Sequence, residues 1–342
     1  MTENGLLTVA DLTKLFPVKK RTYSLRVRNF IHAVDGLNFS VGQGEVFGLV
    51  GESGCGKTTT GKLLVKLLQP TAGQILLGGQ DMAEIAWGRP LRAFRRKVQM
   101  IFQDPYESLN PRFTVFDTVA EPLSVQGGHS VAERERSVAE ILVSVGLAPP
   151  ETFMFRFPHE LSGGQRQRVA IARAMVIGPE FVAADEPTSM LDVSIRAGIM
   201  ELLLGLRSDM GVSYLYITHD LAVARYMCDR IGVMYLGKIV ELGSAEAVVQ
   251  QPLHPYTQAL ISSVPVPDPT YRRQPGEIKG DVAAPIDPPA RCRFYPRCPR
   301  ADEHCREASH PPLDELRPGQ LVACYRARSR PSDSASDPAV EG

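Results

Sequence analysis

The chain has 342 residues, 44% hydrophobic and 22% charged, and its 38 basic residues balance its 38 acidic ones. That composition excludes a mostly disordered or fibrous protein and fits about two domains, or one large core with appendages. A net charge of zero removes any chain-wide electrostatic case for a nucleic-acid partner, and no apolar run reaches the ~18 residues of a membrane span. The first ten residues carry Glu3 and no basic stretch ahead of an apolar run, so no secretory leader is expected there. The chain is therefore expected in the reducing cytoplasm, where its six cysteines are too few for a disulfide scaffold. Four of them nevertheless fall within the last 51 residues.

Residues 5–16 read as a strand with Leu7, Val9 and Leu12 facing inward. The basic stretch 17–30, with Lys19, Lys20, Arg21, Arg26 and Arg28, reads as a solvated loop. A second strand is expected over Ala33–Val41. Gly44–Val50, short and apolar, reads as a buried strand of an α/β sheet, and a helix follows at Thr58–Leu68, ended by Pro70. The middle, about 89–178, is helical in pattern. Val138, Ile141, Leu142 and Val145 recur at helical spacing. Phe181–Ala184 and Ser213–Thr218 read as further short strands, so a parallel sheet with a helical insertion is predicted. Fourteen of the 27 prolines lie between Pro252 and Pro318, which rules out a mainly helical segment there. Residues 251–326 are read as a separate, loop-rich extension, and 327–342 as a disordered tail.

Gly51-Glu52-Ser53-Gly54-Cys55-Gly56-Lys57-Thr58 fits the phosphate-cradle pattern G-x-x-x-x-G-K-[ST], with Thr59 next in line. Successive backbone N–H groups must curl around phosphate oxygens, and side chains there would block the approach. The helix that follows points its positive end at the same anion. Lys57 is expected on the β- and γ-phosphates and Thr58 on Mg²⁺. The strand 181–184 delivers Asp185 and Glu186 at its carboxyl end, where ligands sit in an open α/β sheet. Alone, this pair would fit a solvated strand end equally well. With the cradle upstream, Asp185 is expected in the Mg²⁺ shell and Glu186 as general base toward water.

Leu161-Ser162-Gly163-Gly164-Gln165-Arg166-Gln167-Arg168 opens a helix read over Val169–Val176, with Asp185 twenty residues beyond Gln165. This stretch resembles the signature of ATP-binding-cassette (ABC) ATPases. Gln103 in Phe102-Gln103-Asp104-Pro105 resembles the family's glutamine loop, with Mg²⁺ among its contacts. Ser189-Met190-Leu191-Asp192 resembles its D-loop, and His219 its switch histidine. The resemblance covers 5–250 and implies a P-loop NTPase fold with a helical subdomain. It also implies head-to-tail pairing of two cassettes, in which Ser162, Gly163, Gly164 and Gln165 contact the ATP held by the partner's cradle. Adenine is expected on Phe16, with Phe30 as the alternative, although either could be core.

Residues 102–112 and His254-Pro255-Tyr256-Thr257, followed by Val264-Pro265 and Asp268-Pro269, resemble the ATPases of dipeptide and oligopeptide importers. Nickel and glutathione importers use related subunits. The resemblance implies peptide import powered by ATP and Mg²⁺. The implied partners are a sister ATPase, two membrane permeases and, indirectly, an extracytoplasmic solute-binding protein, with the chain peripheral on the cytoplasmic face of the inner membrane. An exporter ATPase and a non-transport ABC protein are the rival classes. Cys292, Cys298, Cys305 and Cys324 suit structural zinc, with His304 or His310 as substitute ligands, or an iron–sulfur centre, and fit disulfides less well. Free thiols are a further reading. The family resemblance implies a [4Fe–4S] cluster.

Overall fold

A computed structural model describes residues 5–18, 29–263 and 284–327. In chain order the elements are β1 (Leu7–Pro17), β2 (Phe30–Val41), β3 (Val46–Val50), α1 (Lys57–Leu64), β4 (Ala72–Leu77), β5 (Gln80–Asp81), α2 (Arg89–Lys97) and β6 (Val98–Ile101). A helical block follows: α3 (Pro105–Ser108), α4 (Val115–Gln126), α5 (Val131–Ser144), α6 (Glu151–Met154) and α7 (Gly163–Met175). Next come β7 (Phe181–Asp185), α8 (Val193–Met210), β8 (Ser213–Thr218), α9 (Leu221–Met227), β9 (Arg230–Tyr235), β10 (Lys238–Ser244) and α10 (Ala245–Gln250). The C-terminal part holds α11 (Pro255–Ser263), α12 (Glu303–Glu307), β11 (Asp314–Arg317) and β12 (Gln320–Val322).

The main sheet runs β11-β12-β10-β9-β3-β8-β7-β6. Its β9, β3, β8, β7 and β6 are mutually parallel, as the alternation of short strands and helices predicts. The sheet is mixed, however, because β10 returns against β9 through a tight turn at Leu236-Gly237 and pairs antiparallel. A second, antiparallel sheet, β2-β1-β4-β5, was not anticipated as a unit. Its inward Leu7, Val9, Leu12, Val34 and Leu37 pack with Phe47, Leu49, Leu63 and Ile217 in one core, and Phe39 stacks on Phe47 with centroids 4.9 Å apart. The other face of the main sheet is covered by α7, α8 and α9 through Val169, Ile171, Ile199, Leu203 and Ala224. Val138, Ile141 and Leu142 of α5 are buried as their spacing predicts.

Three local expectations change. Helix α1 ends at Leu64, well before Pro70, because the chain turns at Lys66 with φ 55° and Lys66 Nζ donates to the Ile85 carbonyl at 2.8 Å. Helix α7 begins at Gly163, six residues earlier than read. Ser162 and Gln165 form a reciprocal capping box that satisfies its first N–H groups. The helical block is interrupted by β6, too short an apolar run to announce a strand.

The extension builds on the main sheet: β12 pairs with β10 through Glu241↔Val322 and Leu242↔Leu321. Glu241 is fully buried at this seam. Its carboxylate accepts from Leu253 N at 2.8 Å, His254 N at 2.9 Å and Gln320 Nε2 at 2.8 Å. Most of the basic loop, the Val264-Pro265 and Asp268-Pro269 motifs and residues 328–342 lie outside the described residues.

Candidate functional site

The cradle grows out of buried β3 and closes into α1. Gly51 is required by close approach, since a Cβ there would stand 2.2 Å from the Met234 carbonyl oxygen. Gly56 is required twice over: its φ is 112°, and a Cβ would lie 2.0 Å from the Ala33 carbonyl oxygen. The loop is thus pinned between β9 and β2. Lys57 is buried, and its Nζ donates to the carbonyls of Gly51 at 2.6 Å and Glu52 at 3.0 Å. Its ammonium therefore sits inside the curl where phosphate oxygens would be received.

Asp185, at the end of β7, accepts a hydrogen bond from Thr58 Oγ1 at 3.1 Å. Burial pushes its carboxyl above the ordinary range, against the Thr58 bond, and the neighbouring Glu186 charge adds to the rise. A divalent cation would reverse that cost, so this oxygen pair suits Mg²⁺, whose ligands are a hydroxyl and a carboxylate in such sites. Glu186 stands in the left-handed region at φ 44°, with its N–H donating to the Ile217 carbonyl at 3.0 Å. That turn aims the side chain away from the β7 axis. Glu186 Oε2 accepts from Gln103 Nε2 at 3.2 Å and lies 3.1 Å from His219 Nδ1. Gln103 follows β6 and His219 follows β8, so three neighbouring strands deliver the three side chains to one oxygen.

An open cleft of about 650 Å³ unites these groups; its walls include Glu52, Ser53, Lys57, Thr58, Gln103, Glu186 and His219. Ile31, Ala33 and Leu260 form the apolar part of the wall. Phe16 is not on that wall: it lies on β1 opposite Ile31, with Lys14 Nζ 5.2 Å from its ring centroid. Phe30, the alternative, is 38% exposed at the start of β2. Ser162, Gly163, Gly164 and Gln165 do not line the cleft either. A wider cleft of about 880 Å³ opens beyond Gln103 and Asp185, between β6, α4 and α7, with Glu107, Glu121 and Arg173 on its walls.

The four C-terminal cysteines converge from segments up to 32 positions apart. Burial pushes the Cys292 thiol up to about 12, and the neighbouring Cys324, Cys305 and Cys298 add to the rise. Burial also raises Cys298, Cys305 and Cys324. No pair of them is joined, and among the described residues no group of three or more His, Cys, Asp or Glu side chains is arranged to hold a metal ion. His310 is engaged by accepting from Arg293 N at 3.2 Å, and His304 packs edge-on against Tyr325.

Sequence reasoning missed the side of the cradle formed by the extension. Tyr256 Oη accepts from Glu52 N at 2.9 Å, and Arg297 binds the Glu52 carboxylate through both terminal nitrogens at 2.7 and 3.1 Å. No local signal could have paired residues more than 200 positions apart.

The ABC transporter family model matches residues 34–189, and the model for the oligopeptide/dipeptide transporter C-terminal region matches 240–305. The oligopeptide transport ATP-binding protein AppF of Bacillus subtilis is 44% identical over 94% of this chain and 98% of its own length. Among solved structures, cbiO1 from Clostridium perfringens, part of the ABC transporter complex cbiONQ, superposes with a TM-score of 0.61 at 29% identity. The match covers 73% of this chain and 92% of that one. The ATP-binding cassette MJ0796, captured as a dimer in a post-hydrolysis state with ADP and Pi, gives the same TM-score at 30% identity, covering 70% and 98%. A cradle, a paired Asp185–Glu186 strand end and a capped signature helix on this fold, with a close relative spanning nearly the whole chain, place it in a known class: the chain belongs to the ABC transporter ATPases, in the branch that carries the oligopeptide/dipeptide transporter C-terminal region.

Proposed function

We propose that this chain is the ATP-hydrolysing subunit that powers import of dipeptides and oligopeptides through a membrane permease. The observation that carries the catalytic half is the convergence of Gln103 and His219 on one oxygen of Glu186, beside the cradle. Lys57 Nζ exchanges the two loop carbonyls for β- and γ-phosphate oxygens. Thr58, Asp185 and Gln103 would hold Mg²⁺, which would supply neutralising charge to the transferring phosphoryl group. Glu186 takes the proton of the attacking water, while Gln103 and His219 fix its carboxylate. Ile31, Ala33 and Leu260 offer the apolar wall for the base, with Phe16 one strand away.

Ser162, Gly163, Gly164 and Gln165 serve a second cassette. Their helix N-terminus is an anion site, and they lie off this chain's own cleft. A head-to-tail pair, most simply with a sister ATPase, would seat each signature on the other's ATP, so that closure depends on nucleotide. The permease is received on the loop 105–113. Tyr106 is 60% exposed there, and the Arg166 guanidinium lies 3.8 Å from its ring centroid, tying the loop to the signature helix. Aromatic side chains with Arg are the usual anchors of such contacts. Among the described residues no helix is long and apolar enough to cross a membrane, which supports a peripheral subunit on the cytoplasmic face, served by an extracytoplasmic solute-binding protein.

For the four cysteines the proposal is a bound iron–sulfur cluster, with zinc as the alternative. Its support is that Cys298, Cys305 and Cys324 all bear electrostatically on Cys292, a set of thiols whose thiolate repulsion a bound cation would offset. Anaerobically purified protein is expected to be brown and to lose colour in Cys298→Ala. A colourless preparation with one zinc per chain favours the alternative. The transport reading is tested by uptake of labelled dipeptides and oligopeptides in cells lacking this subunit. The wild-type chain restores uptake and Glu186→Gln does not, whereas peptide uptake equal with and without the chain refutes the reading.

A further inference from the structure

The cradle of this chain contains an acid. Glu52 lines the nucleotide cleft together with Ser53, Lys57 and Thr58, so an acid is built into the loop that would receive an ATP triphosphate. An uncompensated negative charge there opposes binding of a polyanion. The compensation comes from the C-terminal extension. Arg297, only 8% exposed, grips both oxygens of Glu52 in a bidentate pair, the strongest geometry open to these two groups. The guanidinium also lies 5.8 Å from the Tyr235 ring centroid. Tyr235 packs with Tyr256 at 4.7 Å and with Phe294 at 5.2 Å, and Tyr256 Oη accepts the Glu52 N–H. Arg297 thus lies against a ring that Tyr256 and Phe294 brace, with both terminal nitrogens on Glu52.

We propose that Arg297 is a positioning residue of the ATP site: the extension neutralises Glu52 and sets its carboxylate aside, so that the cradle presents a net positive face to the triphosphate. This rests on the reading of residues 51–58 as the ATP cradle. Arg297 stands beside Cys298, and the five residues between Cys292 and Cys298 include both Phe294 and Arg297. The extension therefore reaches the nucleotide site through its cysteine-bounded segment.

The test is the affinity of the full chain for a fluorescent ATP analogue with Mg²⁺, read as Kd, for Arg297→Gln, Glu52→Gln, the double variant and Lys57→Ala. Arg297→Gln is expected to raise Kd about tenfold, the scale of an unpaired like charge near a ligand. The double variant is expected to return within about threefold of wild type, because the offending charge is gone. A purely structural role for Arg297 would not be rescued by removing its partner. Glu52→Gln leaves the extension whole and keeps an oxygen for Arg297, so it covers the case in which Arg297→Gln fails to fold. It is expected to bind ATP at least as tightly as wild type. An unchanged Kd in Arg297→Gln, no rescue in the double variant, or weaker binding in Glu52→Gln overturns the proposal while Lys57→Ala still loses affinity. Wild-type affinity in Lys57→Ala overturns the cradle reading and this proposal with it.

Discussion

Glu186→Gln isolates the proton-transfer role of one carboxylate. The amide has the size of the acid, and Glu186 makes its contacts through a single oxygen, Oε2, which receives Gln103 at 3.2 Å and His219 at 3.1 Å. A glutamine oxygen in the same place can keep both contacts, so the architecture and the ATP cradle survive while the basic lone pair is lost. A positioned general base contributes about 10²–10⁴-fold in rate, which is about 2.7–5.4 kcal/mol of barrier at 1.36 kcal/mol per tenfold. The expected result is a fall in the chemical step of that size, with ATP affinity within about threefold of wild type. Single-turnover phosphate release at saturating Mg–ATP reads the first quantity, and equilibrium binding of an ATP analogue reads the second. If phosphate release proceeds within about threefold of wild type, Glu186 is not the base. If affinity collapses together with rate, the residue acts in binding, and its contacts with Gln103 and His219 have been misassigned.

Lys57→Ala removes the ammonium buried inside the cradle; ATP affinity is expected to fall at least about tenfold, the scale of one charge-assisted phosphate contact, by equilibrium binding. Tyr106→Ala is expected to lower peptide uptake per ATP hydrolysed about tenfold in a reconstituted transporter, as loss of an aromatic anchor does; an unchanged ratio removes the loop from the docking surface. Glu241→Ala strands Leu253 N and His254 N and takes one of two acceptors from Gln320 Nε2 at the seam between the sheet and the extension. A loss of about 3–5 kcal/mol in denaturant unfolding is expected, with proteolysis beginning in the extension. Burial holds the Glu241 carboxyl above its ordinary 4.5, so the ionised form is the costly one when folded. Relative to Glu241→Gln, the wild-type melting temperature should therefore be level below pH 4.5 and fall as pH rises from there through the raised folded value; a wild-type melting temperature that instead rises relative to Glu241→Gln over that range would refute this argument.

Local sequence was sufficient wherever one backbone path serves one chemistry. The Gly51–Thr58 cradle, the short apolar strand before Asp185 and Glu186, and His219 after Ser213–Thr218 are each written in a few adjacent residues, because a motif of fixed spacing is legible without knowing what packs on it, although the Met234 and Ala33 carbonyls that exclude a side chain at Gly51 and Gly56 come from distant strands. The helical spacing of Val138, Ile141 and Leu142 likewise predicted its own burial. What tertiary structure decided was which of these pieces meet. The common oxygen of Gln103, Glu186 and His219 follows from the sheet order β8-β7-β6, and strand order depends on how crossing helices pack, which no window of sequence contains. Helix α7 starts at Gly163 and not at Val169 because a capping box of Ser162 and Gln165 satisfies its first N–H groups. The extension, proline-rich and read as separate, joins the main sheet where β12 pairs with β10 and the buried Glu241 receives donors from residues 253–254 and 320. The same long-range closure placed Arg297 against Glu52, a pairing of opposite charges 245 positions apart that only the folded chain could bring together.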